Sequence, residues 1–286
     1  MATTAEILAQ VGAVPRLAAV VPASSLDVRP APEMVSSGIP QLDGLTGGFP
    51  RGCLTEICGS ASSGRTSVLL CALAHATQRG EVCALIDASN AFDPATAANA
   101  GMEMSRLLWV RCGKTVPGSQ FSVLSSLPRH NFGNLQELNK ARRVSESRLE
   151  QVLKVTDLLL QSNGFGMIAL DLGNIPPASA RRIPLASWFR FRRAIEHTPT
   201  ALLVLEQQPI AGSCSSVLLK LSGKELSAVS SQLSGKPPTH TALPHSELLD
   251  QFEITVELLR SRLERNSGKK PVQSTISFTS RAAWAG

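Results

Sequence analysis

Between residue 36 and about residue 221, short apolar runs alternate with longer stretches whose apolar positions recur at helical spacing. The runs CLTEIC (53–58), EVCALIDA (81–88), LLWVRC (107–112), GMIALDL (166–172) and ALLVLE (201–206) are nearly continuous in their apolar character. Strands covered on both faces read this way, whereas a strand with one wet face alternates. The stretches 65–79, 94–104, 146–162 and 185–197 read as helices between them. A βαβ series of this kind predicts an α/β fold with a mainly parallel central sheet flanked by helices.

The pattern breaks in three places. Residues 1–35 hold one short helical pattern (Ala5, Ile7, Leu8, Val11), then Pro15, Pro22, Pro30 and Pro32, and read as an N-terminal arm. Residues 113–144, rich in Ser and Asn with Pro117, Gly118 and Pro128, read as an irregular insertion in the 36–221 core. Residues 222–245 are rich in Ser, Gly and Pro. The alternation Phe252, Ile254, Val256, Leu258 then predicts a strand, with a second over 271–278, so that 222–286 is a linker and a C-terminal antiparallel edge.

Composition narrows the class. The chain has 286 residues, 43% hydrophobic and 17% charged, with 4% aromatic and no Tyr, which suits a domain with a substantial core and excludes a disordered polar chain. No apolar run approaches the ~18 residues a spanning helix needs. The start MATTAEILAQVGAVPR lacks a basic, then long apolar, leader, so a cytoplasmic location is expected and a membrane partner is not. Cys53, Cys58, Cys71, Cys83, Cys112 and Cys214 form no CxxC pair and no zinc spacing, and read as small buried thiols. The net charge of +6 permits an acidic partner without specifying one.

The sharpest local signal is CLTEICGSASSGRTS: a strand, a loop of small residues and a helix start, in that order. Gly59, Ser60, Ala61, Ser62, Ser63, Gly64, Arg65, Thr66 and Ser67 match the phosphate-binding P-loop spacing, except that Arg65 stands where a lysine is expected. Such a loop turns backbone N–H groups inward at the positive end of a helix, and so cradles an anion. Thr66 would offer its hydroxyl to Mg²⁺, and the anion would be the phosphates of ATP.

The stretches SSGIPQLDGLTGGFPRGCLTEICGSASSGRTS and RGEVCALIDASNAFDPATAANAGMEMSRLLWVRC, with the strand ending at Asp171 and ALLVLEQQPIAGSCSSVLLKL, resemble the ATPase core of the RecA recombinase family over roughly 36–221. Within it the chain is most similar to ImuA-type accessory proteins. That resemblance implies partners in translesion synthesis: an inactive Y-family polymerase relative and an error-prone replicative polymerase. It places the family's P-loop lysine at Arg65 and its catalytic glutamate at Ser89, which has no carboxylate to act as a base. The adenine-stacking aromatic falls at about Thr96, and Asp87, Asp93 and Pro94 are retained. Asp171 matches the Mg²⁺-binding aspartate, and Gln207 or Gln208 the nucleotide-sensing glutamine. Glu206 is a candidate substitute base.

The family holds single-stranded DNA on two loops. The second is shortened here to PIAGSCSS (209–216) and has no basic residue. The first corresponds to a segment holding Arg181, Arg182, Arg190, Arg192 and Arg193 among Trp188, Phe189 and Phe191, which is either a grip on phosphates and bases or a helix. As a helix, Leu185, Trp188, Phe189 and Ile195 would form the buried face and the arginines its solvated edge. Three functions remain open on these grounds. One is a RecA-like accessory protein of DNA repair and mutagenesis, working through protein partners with a degenerate ATP site. The others are an active DNA-dependent ATPase recombinase and a nucleotide-gated scaffold unrelated to DNA. Self-association is a further expectation of the resemblance.

Overall fold

The computed structural model describes residues 3–15, 31–112, 135–226, 251–263 and 274–280, with the backbone alone at 4, 135–147, 225–226 and 251. Two compact units divide at Ala31 and Pro32. The first contains α1 (Thr4–Gly12). Its start is fixed by a reciprocal cap: Glu6 N–H donates to Thr3 Oγ1 at 3.4 Å and Thr3 N–H donates to Glu6 Oε2 at 2.7 Å.

The second unit holds an 8-stranded sheet beside a short antiparallel pair, β1 (Met34–Val35) with β2 (Phe49–Pro50). Because Met34 and Val35 take part in this pairing, the arm ends sooner than residue 35. The main strands are β3 (Leu54–Gly59), β4 (Cys83–Asp87), β5 (Leu107–Arg111), β6 (Met167–Asp171), β7 (Ala201–Glu206), β8 (Val217–Leu226), β9 (Gln251–Ser261) and β10 (Thr275–Ser280). Their order across the sheet is β10-β9-β8-β3-β7-β6-β4-β5. Pairings from β8 through β5 are parallel, while β9 and β10 run antiparallel. The sheet is therefore parallel with an antiparallel edge, as the apolar runs predict.

The helices are α2 (Pro40–Thr46), α3 (Arg65–Gln78), α4 (Pro94–Asn99), α5 (Leu135–Ser162), α6 (Pro177–Ala180) and α7 (Leu185–Ile195). Two departures from expectation stand out. Residues 135–144 continue α5 toward the N-terminus instead of belonging to an irregular insertion, and the rest of that insertion, 113–134, lies outside the described residues. The buried face of α7 is Trp188, Phe191 and Ile195, whereas Leu185 and Phe189 are exposed. Trp188 and Phe191 pack edge to face with ring centroids 5.8 Å apart, and this pair sets the rotation of the helix.

Strand pleat sorts the core. Cys83, Leu85, Met167, Ala169, Ala201, Leu203 and Leu205 face α2 and α3. Ala84, Ile86, Ile168, Leu170, Leu202 and Val204 face the other way, with α5 and α7. Both faces are dry, which is why the runs carry so few polar residues. All six cysteines are free thiols, with Cys58, Cys83, Cys112 and Cys214 buried. Among the described residues no helix is long and apolar enough to cross a membrane.

Candidate functional site

The parallel register brings the carboxyl ends of β3, β4, β6 and β7 to one rim: Cys58 lies beside Glu206, Asp87 beside Asp171, and Asp171 beside Leu205. Ligands of open α/β sheets bind at such a rim. The loop from Gly59 to Gly64 crosses it and leads into α3.

The two glycines are required by their surroundings. A Cβ on Gly59 would lie 2.5 Å from both the Leu221 carbonyl oxygen and Ser63 Oγ. Gly64 caps α3 at φ 89°, and Ile254 of β9 packs against the position a side chain would fill. Ser62, at φ 56°, and Gly64 alternate in backbone hand with the residue between them, which is the pattern of an anion-binding backbone nest. The first N–H groups of α3 have no partner inside the helix, so the loop and helix together form an anion cradle.

A cleft beside the loop is lined by Arg65, Thr66, Leu69, Leu70, Phe92, Asp93, Thr96, Asp171, Gly173 and Asn174. Two polar atoms at this site are buried without a partner: Ser63 Oγ and Arg65 Nη1. Arg65 otherwise makes one long hydrogen bond, Nη2 donating to the Gly173 carbonyl at 3.4 Å. Burial disfavours its charge, and Asp171 opposes that effect. Asp171 accepts from Gly173 N–H at 2.9 Å. Burial raises its carboxyl above the usual range, with Asp87 adding to the rise and Gly173 and Arg65 acting against it.

These features suit phosphates, which would satisfy the orphaned donors. They fit Mg²⁺ poorly. Asp171 and Thr66 are the kind of protein ligands a P-loop site gives Mg²⁺, with water and phosphate completing the shell, but here the Arg65 cation faces Asp171 across Gly173 and competes with a divalent ion for that carboxylate. Among the described residues no cluster of three or more acidic, His or Cys side chains could hold a metal.

The other predicted positions separate. Ser89 follows β4 and donates its N–H to Asp87 Oδ1 at 3.0 Å. Asp87 also accepts from Ala91 N–H at 3.1 Å, Phe92 N–H at 3.0 Å and Trp109 Nε1 at 3.3 Å, so it shapes this turn. Asp93 caps α4, accepting from Ala95 and Thr96. Gln207 Nε2 donates to the Gly173 carbonyl at 3.0 Å, beside Arg65, while Gln208 accepts from Arg181. Gln207 thus reaches the cleft wall and Gln208 turns to Arg181, just past α6.

Glu206 is 1% exposed and lies against the fully buried Glu56. Burial first, and the Glu56 carboxylate second, push its pKa far up, so it carries a proton at neutral pH. Glu56 Oε1 accepts from Ile210 N–H at 2.8 Å and Ala211 N–H at 2.6 Å, and Arg260 approaches its Oε2 at 3.4 Å. Arg262 donates to the Ser213 carbonyl at 2.8 Å. The 209–216 turn is therefore tied to Glu56 of β3 and to Arg262, just past β9. Sequence reasoning missed Glu56 as the partner of Arg260, although a carboxylate inside the apolar run CLTEIC is the signal that could have found it.

Of the basic residues near α7, Arg190 forms a two-bonded pair with Asp157, both at 2.7 Å, and lies over the Phe191 ring. Arg181, Arg182 and Arg193 are exposed and Arg192 is half-buried. Trp188 and Phe191 are core residues, so Phe189, 49% exposed, is the ring that reaches solvent here.

Residues 19–116 match the RecA N-terminal domain family. Protein RecA from Chlorobaculum parvum is 46% identical over 76 residues, covering 26% of this chain and 22% of that protein. Protein RecA from Synechococcus sp. strain CC9605 is 44% identical over 77 residues, covering 27% and 21%. The matched stretch thus spans about a fifth of the length of these relatives. A crystal structure of the RadB recombinase aligns with a TM-score of 0.49 at 17% identity, over 87% of this chain and 96% of that one.

Proposed function

We propose that this RecA-like chain binds a nucleoside triphosphate at the 59–67 loop without efficient turnover, and acts through protein partners in DNA repair and damage-induced mutagenesis. The observation that carries the first half is the state of the carboxylates at the rim. P-loop hydrolysis needs a group that orients the attacking water. Ser89 has no carboxylate, and Glu206 is protonated and packed against Glu56. Asp93 is engaged as a helix cap, and Asp171 faces Arg65. The phosphate cradle persists while the water-activating group is missing.

Support for the second half comes from the similarity to RecA and from the tied-down 209–216 turn. A turn held by Glu56, Arg260 and Arg262 is poorly suited to wrap single-stranded DNA as a mobile loop, which leaves protein surfaces to do the work. ATP turnover measured with and without single-stranded DNA tests the reading. Turnover near background in both conditions is expected, together with capture of a polymerase or another repair protein from damaged cells. Robust DNA-stimulated turnover abolished by Asp171→Ala refutes it in favour of an active recombinase. Capture of no repair protein, with no DNA binding at low salt, favours a nucleotide-gated scaffold.

A further inference from the structure

We infer that the Arg65 guanidinium occupies the place a metal ion would take in this cleft, so that the nucleotide is held as its metal-free anion. This deepens the nucleotide-binding reading and rests on it. Three observations lead there.

The first is the unmet hydrogen-bonding capacity of Arg65. A guanidinium carries five N–H donors. Here Nη1 is buried with no acceptor, Nη2 reaches the Gly173 carbonyl only at 3.4 Å, and among the described residues no carboxylate pairs with it. A half-buried permanent cation in that condition is set to receive an anion, and it lines the cleft beside the phosphate loop.

The second is its position. A Cβ built on Gly173 would stand 3.0 Å from Arg65 Nη1 and 3.0 Å from Asp171 Oδ1, so the cation and the carboxylate face each other across a residue with no side chain. A divalent ion bound by Asp171 would need the ground next to this guanidinium and would meet its charge.

The third is geometry matched to chemistry. The planar fork of arginine presents parallel N–H donors that grip two phosphate oxygens at once, which the ammonium of lysine does not. Bridging two phosphate oxygens and neutralising their charge is the role a magnesium ion has in P-loop sites. One arginine at this position takes over both the lysine's contact and the ion's bridge.

The test titrates the full-length protein with a fluorescent ATP analogue, in excess Mg²⁺ and in EDTA. The wild type is expected to bind with dissociation constants that agree within about fivefold. Arg65→Lys is expected to weaken binding in EDTA by more than about tenfold and to recover it when Mg²⁺ is added, because a point charge does not bridge the oxygens. A larger than fivefold loss for the wild type in EDTA overturns the inference and leaves nucleotide binding intact. Metal-independent binding by Arg65→Lys overturns the assignment to Arg65. Absence of binding in both conditions overturns this inference and the nucleotide-binding reading together.

Discussion

Replacing Glu206 by glutamine should make the protein more stable at alkaline pH and flatten its pH dependence. Glu206 is 1% exposed, and burial together with the neighbouring Glu56 raises its pKa well above that of an unfolded chain. The native state therefore keeps a proton that the unfolded state gives up above about pH 4.5. Stability from this residue is fully present below that value and declines as pH rises toward the folded pKa, by about 1.4 kcal/mol per unit. Between pH 6 and pH 8 the loss is about 3 kcal/mol, or roughly 6–12 °C in Tm for a domain of this size. Glutamine keeps the shape, accepts from Ile210 N–H as Glu206 Oε1 does at 3.3 Å, and offers a permanent N–H toward Glu56. Melting curves at pH 6, 7 and 8 for both proteins isolate the effect from other titrating groups. Parallel pH slopes for wild type and Glu206→Gln, or a variant less stable at pH 8, would refute the protonated pair.

Ser89→Glu restores a carboxylate at the end of β4 and should raise ATP turnover, by about 10²-fold if the new group orients water as a base. A coupled phosphate-release assay reads it, and no gain would show that the missing base is not what limits turnover. Trp188→Ala removes a fully buried ring packed on Phe191, and should lower stability by about 3–5 kcal/mol in urea denaturation. Glu81 has its pKa pulled down despite burial, because Arg51 and Arg79 donate to it at 3.0 and 2.9 Å. Its contribution is present above the unfolded carboxyl pKa and lost as pH falls through the folded one, so Glu81→Gln should reduce Tm at pH 7, by progressively less as the pH is lowered below the unfolded carboxyl range.

Much of the sheet is legible in the sequence because two-sided burial leaves an unbroken apolar run, and the small-residue loop between such a run and a helix marks the rim. The start of α5 is not, since LQELNKARRV has strong helix formers but little apolar stripe, and propensity without periodicity is a weak signal. On α7 two apolar stripes compete, Leu185 with Phe189 and Trp188 with Phe191 and Ile195. The second wins because it buries the larger ring, a choice decided by the surface it meets. The pairing of Glu56 with Arg260 joins residues of β3 and β9 far apart in the chain, and only strand order brings them together.

Acidic side chains near the ends of parallel strands acquire distinct chemistry here through the donors that face them. Asp87 receives N–H groups from Ser89, Ala91, Phe92 and Trp109, and shapes the turn that carries Ser89. Glu206 faces another carboxylate with few donors of its own, and holds a proton instead. Asp171 lies between these cases, with one backbone donor and a guanidinium across Gly173. The antiparallel edge enters this arrangement directly: Arg260 of β9 reaches Glu56, and Ile254 of the same strand packs on Gly64 of the phosphate loop. The edge therefore braces the anion cradle and compensates the charge beneath the 209–216 turn. A change in β9 should be felt at both places, because one strand supports them.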